Sequence, residues 1–395
     1  MPAPLDGIQV LDFTRFQAGP TCTVFLSDLG ASVIKVELPN QGEQGRYMFP
    51  VPGIAHAPYF IAHDRGKRGI TVDYGREAGR AILYKIAQRC DVVVENFRPG
   101  HAETLGLGYE VFRAINPRIL YASVSAYGEQ GPLGRTPGFD IHGQAVGGIM
   151  SVTGEAGRSY TAGAAIGDQL AGMTLASAVL AGLVARERQG LGQRVSVSLY
   201  GAQLALQAWE IDQHSLSGKL PGKAGGSHPQ LFGTGMIWGV FPTRDADIVL
   251  GGLGGDRWNV LCELLGLDPG ESRAGRASFT QDKSAYREQI TRKLKERGAD
   301  EWVRLFRERD LMISKVQTYA DIVNDPQARA NGYVMEMDDG AGRSMHVVGS
   351  PFHFSATPAR PQGPPPELGQ HTEEVLLEAG YGWDDIAHWR DEGLI

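Results

Sequence analysis

From residue 8 to about 215, short β-rich runs alternate with helical patterns, and this alternation restricts the fold more than any other feature of the chain. The series reads IQVLDF, TVFLSDLG, SVIKVE, GITVDY, the helical REAGRAILYKIAQR, DVVVEN and ILYASVSAY. Val- and Ile-rich runs separated by crossover-length helices suit strands buried on both faces, so the pattern predicts an α/β fold with a mostly parallel, doubly wound sheet. A continuous apolar helix is expected from Gln169 to Arg188, buried, followed by the strand QRVSVSL and one further helix over YGAQLALQAWEIDQHSL. With 395 residues, 42% of them hydrophobic, the chain has material for two or three domains.

The composition shifts at SGKLPGKAGGSHPQ, where Gly, Pro and Lys mark a linker. The expected organisation is a large Rossmann-like domain over 1–216, a linker over 217–230, a small α+β domain over 231–325 and a C-terminal segment over 326–395. Strands are expected around MIWGVF and DIVLGG, and helices near RWNVLCELLG, KSAYREQITRKLKE and ADEWVRLFRER. The last segment shows strand-like YVMEM and MHVVG and a final helix opening near Gln370–Glu373.

A formal net charge of −7 and the absence of basic runs interleaved with aromatics argue against nucleic acid as a partner. Cys22, Cys90 and Cys262 are too dispersed for a disulfide framework or a paired zinc motif, which suits a reducing cytoplasm. The first residues carry no basic segment followed by an apolar run, and the longest small-apolar stretch, Leu170–Ala185, is shorter than the roughly 20 residues needed to span a bilayer. Neither export nor membrane insertion is expected. HExxH and GxSxG are both missing from the sequence, which disfavours zinc-protease and serine-hydrolase chemistry.

Several segments can carry chemistry. In IGDQLAGM, Asp168 precedes the apolar helix and follows a glycine; it suits an N-cap and, as a carboxylate held ionised at a helix N-terminus, also a nucleophile. Gln17, with Arg15, lies in the loop after the first strand, at the sheet edge where open α/β folds bind ligands; its amide can orient a carbonyl or simply be solvated. HDRGKRG gathers Arg65, Lys67 and Arg68 into either a phosphate site or a solvated turn. ENFRPG offers Asn96 for a base edge, Phe97 for stacking and Arg98 as a cation, or else a strand-ending turn at Pro99. The GGLGGD loop, with Gly251, Gly252, Gly254 and Gly255, invites a dinucleotide reading and a dehydrogenase activity. Its spacing refuses both, because counting from Gly252 the third required glycine falls on Arg257. A plain turn or a closing lid remains.

Taken in order, LDGIQVLDFTRFQAGP, LGASVIKVE, GKRGITVDY, DVVVENFRPG, LGLGYE, SVSAYGEQGP, PGFDIHGQAVGG, IGDQLAGM, GQRVSVSL and LGQHTEEVL resemble the landmarks of the family III CoA-transferases, the group of formyl-CoA, carnitine and bile-acid CoA-transferases. The resemblance implies an enzyme that moves CoA from an acyl-CoA donor to a free carboxylic acid, with dicarboxylates a fair guess. Asp168 would be the nucleophile, passing through an aspartyl anhydride and an aspartyl-CoA thioester, and Gln17 would sit near the thioester. It also implies CoA contacts at Val72, Asn96, Phe97 and Leu105, phosphate contacts at Arg98 and Lys67, a glycine loop that shields the intermediate, and an interlocked homodimer. No metal or tightly bound cofactor is implied, CoA being a substrate. Thr104 stands where many relatives have a basic residue, and Gly201 where many have an acidic one. The racemase branch of the family carries a histidine where Phe139 stands; His142 is close in sequence but is expected to point elsewhere. Tyr47, Met48 and residues 228–240 are candidates for the acyl pocket.

Overall fold

The structure is a computed structural model and describes residues 2–223, 225–226, 237–270 and 283–395. In chain order the first half comprises β1 (Gln9–Asp12), α1 (Ala18–Asp28), β2 (Ser32–Glu37), α2 (Pro58–Asp64), β3 (Arg68–Thr71), α3 (Glu77–Ala87), β4 (Val92–Glu95), α4 (His101–Thr104), α5 (Tyr109–Ile115) and β5 (Leu120–Ser125). There follow α6 (Asp140–Val146), α7 (Ile149–Val152), α8 (Ile166–Gln189), β6 (Gln193–Ser198), α9 (Leu199–Leu206) and α10 (Ala208–Ser217). The six strands form one sheet in the order β3-β2-β1-β4-β5-β6, with every neighbouring pair parallel. This is the doubly wound arrangement, with its topological switch point between β1 and β4.

Alternation along each strand fills both faces. Val10, Val33, Val92 and Leu120 pack with Leu26 of α1 and Leu175 and Val179 of α8. Their neighbours Leu11, Ile34, Val93 and Tyr121 pack on the other face with Ile82 of α3 and Phe112 of α5. Successive side chains of a strand point to opposite faces, so one Val/Ile run serves two cores.

Helix α8 is longer than expected and only one of its faces is covered. Its 24 residues are long and apolar enough to cross a bilayer by length and composition alone. Leu175, Val179 and Leu183 are buried, whereas Met173 and Val184 are 44% and 52% exposed. Gly172 lets α8 close on α1, since a Cβ there would meet Ala18 O and Thr21 Cβ at 2.5 Å. The single helix expected after β6 is two, broken at Gln207, whose backbone leaves helical geometry.

The chain divides into two compact units, the first of 1–147, 163–206 and 323–395, the second of 148–162 and 207–322. The division therefore falls at 206 and not at 216, and it places the short segment 148–162 with the second unit. The second unit holds an antiparallel sheet of β7 (Gly239–Pro242), β8 (Asp247–Leu250) and β9 (Ile313–Lys315), ordered β7-β8-β9. Trp258, Ile290, Trp302 and Phe306 from the helices Asp256–Leu265, Arg287–Leu294 and Ala299–Arg307 form its core. The C-terminal stretch adds to the first unit a hairpin of β10 (Val334–Asp338) and β11 (Ser344–Val348), then helices Thr372–Glu378 and Trp383–Asp391. Val375, Leu376, Ile386 and Leu394 from this stretch enter the core of the sheet face lined by Leu11.

Candidate active site

Loops leaving the carboxyl ends of β1 and β4 diverge at the switch point, and a cleft of about 410 Å³ opens there. Gln17, Phe97, Arg98, Phe139, His142 and Asp168 are among the residues lining it. A roomier cavity of about 710 Å³ lies in the same unit, walled by apolar side chains such as Phe25, Ile61 and Met173. It contains neither Asp168 nor Gln17, so chemistry and not size selects the smaller cleft.

Asp168 lies within the first turn of α8, two residues past the first helical position, and is not its cap. The cap comes from another element. Asp140, at the start of α6, accepts the N–H of Gly167 at 2.7 Å and of Asp168 at 3.1 Å on one oxygen, while its other oxygen accepts Gln144 Nε2 at 2.7 Å. Two of the orphan donors at the helix start are thereby satisfied. Gly167 is needed for that approach, because a Cβ there would sit 2.9 Å from Asp140 Oδ1. The Asp168 carboxylate itself has no hydrogen-bond partner among the described residues. Burial, with the like charge of Asp140 added, raises its pKa to about 7. Loss of water around the carboxylate therefore works against the ionisation expected of an aspartate at a helix N-terminus. A carboxylate poised near neutrality and free of hydrogen bonds is a stronger nucleophile than a solvated one.

Gln17 occupies the N-terminal boundary of α1, yet its side chain makes no cap. Its amide has no partner among the described residues and faces the cleft that holds Asp168. Asn96, expected to read a base edge, lines the cleft and also holds the loop: its Oδ1 accepts Arg15 N at 2.8 Å and its Nδ2 donates to Arg15 O at 2.7 Å. Arg15 is committed as well, donating to the Tyr74 hydroxyl with its guanidinium 5.6 Å from the centre of the Phe97 ring. Arg98 lines the cleft, is exposed, and has no ion-pair partner among the described residues.

The basic cluster over 65–68 is structural. Lys67 is fully buried and donates to Asp12 at 2.9 Å and Asp64 at 2.8 Å, which removes it from any phosphate. Arg65 is buried against Asp28 at 2.6 Å, and Arg68 pairs with Glu374 and Glu378. Composition shows the charges but not their burial. Val72 is wholly buried and offers no open side-chain surface to a ligand, whereas Leu105 is only partly buried against the same core. Thr104 bonds back to His101 O at 2.8 Å, and Gly201 N donates to Ser198 Oγ at 2.9 Å. Tyr47 is 63% exposed and, like Met48, lines neither cavity. Residues 228–236 of the acyl-pocket candidate lie outside the described residues. Gly251, Gly252, Gly254 and Gly255 join β8 to the helix Asp256–Leu265 in the second unit, with Gly252 and Gly255 at φ of +66° and +60°.

One cleft residue departs from its expected direction, and one neighbour of Asp168 carries no signal in the sequence. His142, expected to point elsewhere, lines the cleft: Phe139 occupies the N-cap position of α6 without a side-chain cap, 142 lies three residues on, and its Nδ1 accepts the Phe139 N–H at 3.2 Å. Tyr59 on α2 is near enough to Asp168 that the carboxylate, after burial, contributes to raising its pKa. Proximity to the PGFD motif is the sequence signal for His142; Tyr59 has none.

The model of CoA-transferase family III matches residues 5–372. The chain belongs to this family. It is 34% identical to the succinyl-CoA:mesaconate CoA-transferase of Haloarcula hispanica, over 96% of this chain and 97% of the relative. It is 32% identical to the human succinyl-CoA:glutarate CoA-transferase, over 97% of this chain and 87% of that one. The crystal structure of a CAIB/BAIF family protein from Brucella suis superposes with a TM-score of 0.84 at 30% identity, covering 96% of this chain and 100% of that one. The protein is therefore a CoA-transferase of family III, and the dehydrogenase alternative falls with the missing fingerprint.

For this CoA-transferase the Asp168 environment sets a pH dependence. Only an ionised carboxylate can attack a thioester carbonyl, so with Asp168 in that role kcat/KM is expected to rise with pH through about 7. Asp140→Asn keeps an oxygen for the Gly167 and Asp168 N–H groups but removes the like charge. The rising limb should move to lower pH, by less than the full displacement since burial is its larger cause. A limb that stays in place in the variant would show that another group governs it.

Proposed function

We propose that the enzyme transfers CoA from an acyl-CoA donor to a dicarboxylic acid, with Asp168 as the covalent nucleophile. The observation that carries this reading is the pairing, in one cleft at the switch point, of an Asp168 carboxylate and a Gln17 amide that both lack hydrogen-bond partners among the described residues. Asp168 attacks the thioester carbonyl, the C–S bond breaks, and CoA leaves as thiolate from a mixed aspartyl anhydride. The thiolate then attacks the aspartyl carbonyl, releasing the donor acid and leaving an aspartyl-CoA thioester. The acceptor carboxylate attacks that thioester, breaking its C–S bond to give a second aspartyl anhydride and free thiolate; the thiolate then attacks the acceptor's acyl carbonyl, and the Asp168 carboxylate leaves. The Gln17 N–H₂ donates to the carbonyl oxygen as charge develops there. Arg98, free and exposed at the rim, suits a CoA phosphate.

Dicarboxylate acceptors follow from relatives named for mesaconate and glutarate transfer. An interlocked homodimer is favoured by the apolar residues left bare on one chain, Met173 and Val184 of α8 and Ile141 and Val146 of α6. A cytoplasmic setting agrees with three buried, unpaired cysteines. His142 in the cleft favours a second reading, proton exchange at the α-carbon of the acyl group.

The test incubates the enzyme with succinyl-CoA and glutarate or mesaconate, follows the new thioester, and weighs the intact chain. A CoA adduct on the wild type that Asp168→Asn lacks supports the scheme. Deuterium uptake at the α-carbon without transfer would establish the second reading in its place.

A further inference from the structure

Behind the cleft, a buried network that the reaction scheme does not use grips the loop carrying Gln17. Three consecutive residues of that loop are held by side chains from different parts of the sheet edge. Lys35 on β2 donates to Thr14 O at 3.0 Å, Asn96 after β4 takes both backbone groups of Arg15, and Glu43 Oε2 accepts Phe16 N–H at 3.0 Å. The next residue is Gln17. Phe16 has φ of +63°, a left-handed conformation that is unfavourable for a bulky residue and persists only where its surroundings impose it.

Glu43 is 2% exposed. Its own N–H donates to Glu37 Oε1 at 2.8 Å, and Glu37 is gripped by Arg46 Nε at 2.7 Å, so its backbone is fixed as well as its side chain. Its charge is not required by the network, because Lys35 and Lys67 already face Asp12 and Asp64. Lys35 Nζ lies 3.9 Å from Glu43 Oε1, which has no hydrogen-bond partner. What the carboxylate does with direction is accept the Phe16 N–H.

We propose that Glu43 is a positioning residue for the transfer reaction: by holding Phe16 in its left-handed conformation it sets where the Gln17 amide projects into the cleft. This rests on the reading that Gln17 serves the reacting carbonyl. Glu43 touches no substrate; it acts through the backbone of the loop.

Glu43→Met removes the acceptor at similar volume, whereas Glu43→Gln keeps one. Steady-state transfer from succinyl-CoA to glutarate is measured for both, in the wild-type background and with Gln17→Ala. Displacing a group that aids the chemical step by a fraction of an ångström to 1 Å is worth about ten- to a hundredfold, so Glu43→Met should lower kcat at least tenfold with the acyl-CoA KM nearly unchanged. Glu43→Gln should stay within about threefold of wild type. In the Gln17→Ala background, Glu43→Met should cause no further loss, because both changes remove the same interaction. Undiminished additive losses, or a folded Glu43→Met enzyme with wild-type kcat, would overturn the proposal. If Gln17→Ala alone leaves kcat untouched, the role of Gln17 has failed and the positioning role with it, while an Asp168 adduct would leave the transferase scheme standing. Should Glu43→Met not fold, Glu43→Asp keeps the charge, draws the carboxylate back by one methylene, and carries the same test.

Discussion

Asp168→Asn should abolish transfer, by about 10³-fold or more in kcat, and at the same time make the protein more stable above neutral pH. The two effects have one origin. A carboxyl whose pKa is about 7 in the folded chain and near 3.9 when unfolded binds its proton more tightly in the native state. Stability then falls as pH rises from about 4 to about 7 and is lowest where Asp168 is fully ionised. Each tenfold gain in proton affinity corresponds to about 1.4 kcal/mol, so the cost approaches roughly 4 kcal/mol before the partial access of solvent to the cleft reduces it. The amide has no charge to desolvate. Denaturant unfolding at pH 5 and pH 8 should therefore show little gain for the variant at the lower pH and a gain of about 1–3 kcal/mol at the higher one. An Asp168→Asn enzyme that retains turnover would remove the nucleophile from the scheme, and one destabilised at pH 8 would show that the carboxylate is not strained by its surroundings.

Lys67→Met should be the most damaging single change away from the cleft. Lys67 donates to Asp12 at 2.9 Å and to Asp64 at 2.8 Å, with all three side chains fully buried. Burial works to raise both carboxyls, and Lys35 and Lys67 nevertheless hold them below the ordinary range. Asp12 is further engaged by Thr14 N–H at 2.8 Å and Thr23 Oγ1 at 2.7 Å, so it has no route to solvent. Removing one lysine leaves a buried negative charge uncompensated, which costs about 3–5 kcal/mol. Urea unfolding should show this loss, and Asp12→Asn in the same chain should restore part of it. The acyl-CoA KM of the folded fraction should match wild type, since the ammonium lies beyond reach of a phosphate; a raised KM with normal stability would return Lys67 to the binding site.

The parallel sheet is legible in the chain because strands covered on both faces must be apolar along their length, and IQVLDF, SVIKVE and DVVVEN are. The loops after β1 and β4 are legible for the same reason, once strand ends are known. The partners of those loops are not. Asp140 caps a helix that begins 26 residues later, and Glu43 supports a backbone 27 residues earlier; separations of this kind leave no periodicity to read. The 65–68 cluster shows the complementary difficulty, since charge in a sequence ordinarily means water and here means a sealed network. His142 illustrates a third: whether residues three apart share a face depends on where the helix starts, and a helix whose N-cap position holds a phenylalanine with no side-chain cap gives capping rules nothing to read.

Both compact units are assembled from separated stretches of chain, and the first completes its core only with Val375, Leu376, Ile386 and Leu394. During synthesis the first 147 residues must therefore wait while the rest of the protein is made, roughly ten to fifty seconds at about 5–20 residues per second. Over that interval one face of the nascent sheet is short of the side chains that close it. The order of emergence from the ribosome thus opposes the order of packing, and production of this enzyme in a foreign host should depend on chaperone supply and on slowed translation more than on the stability of the finished fold.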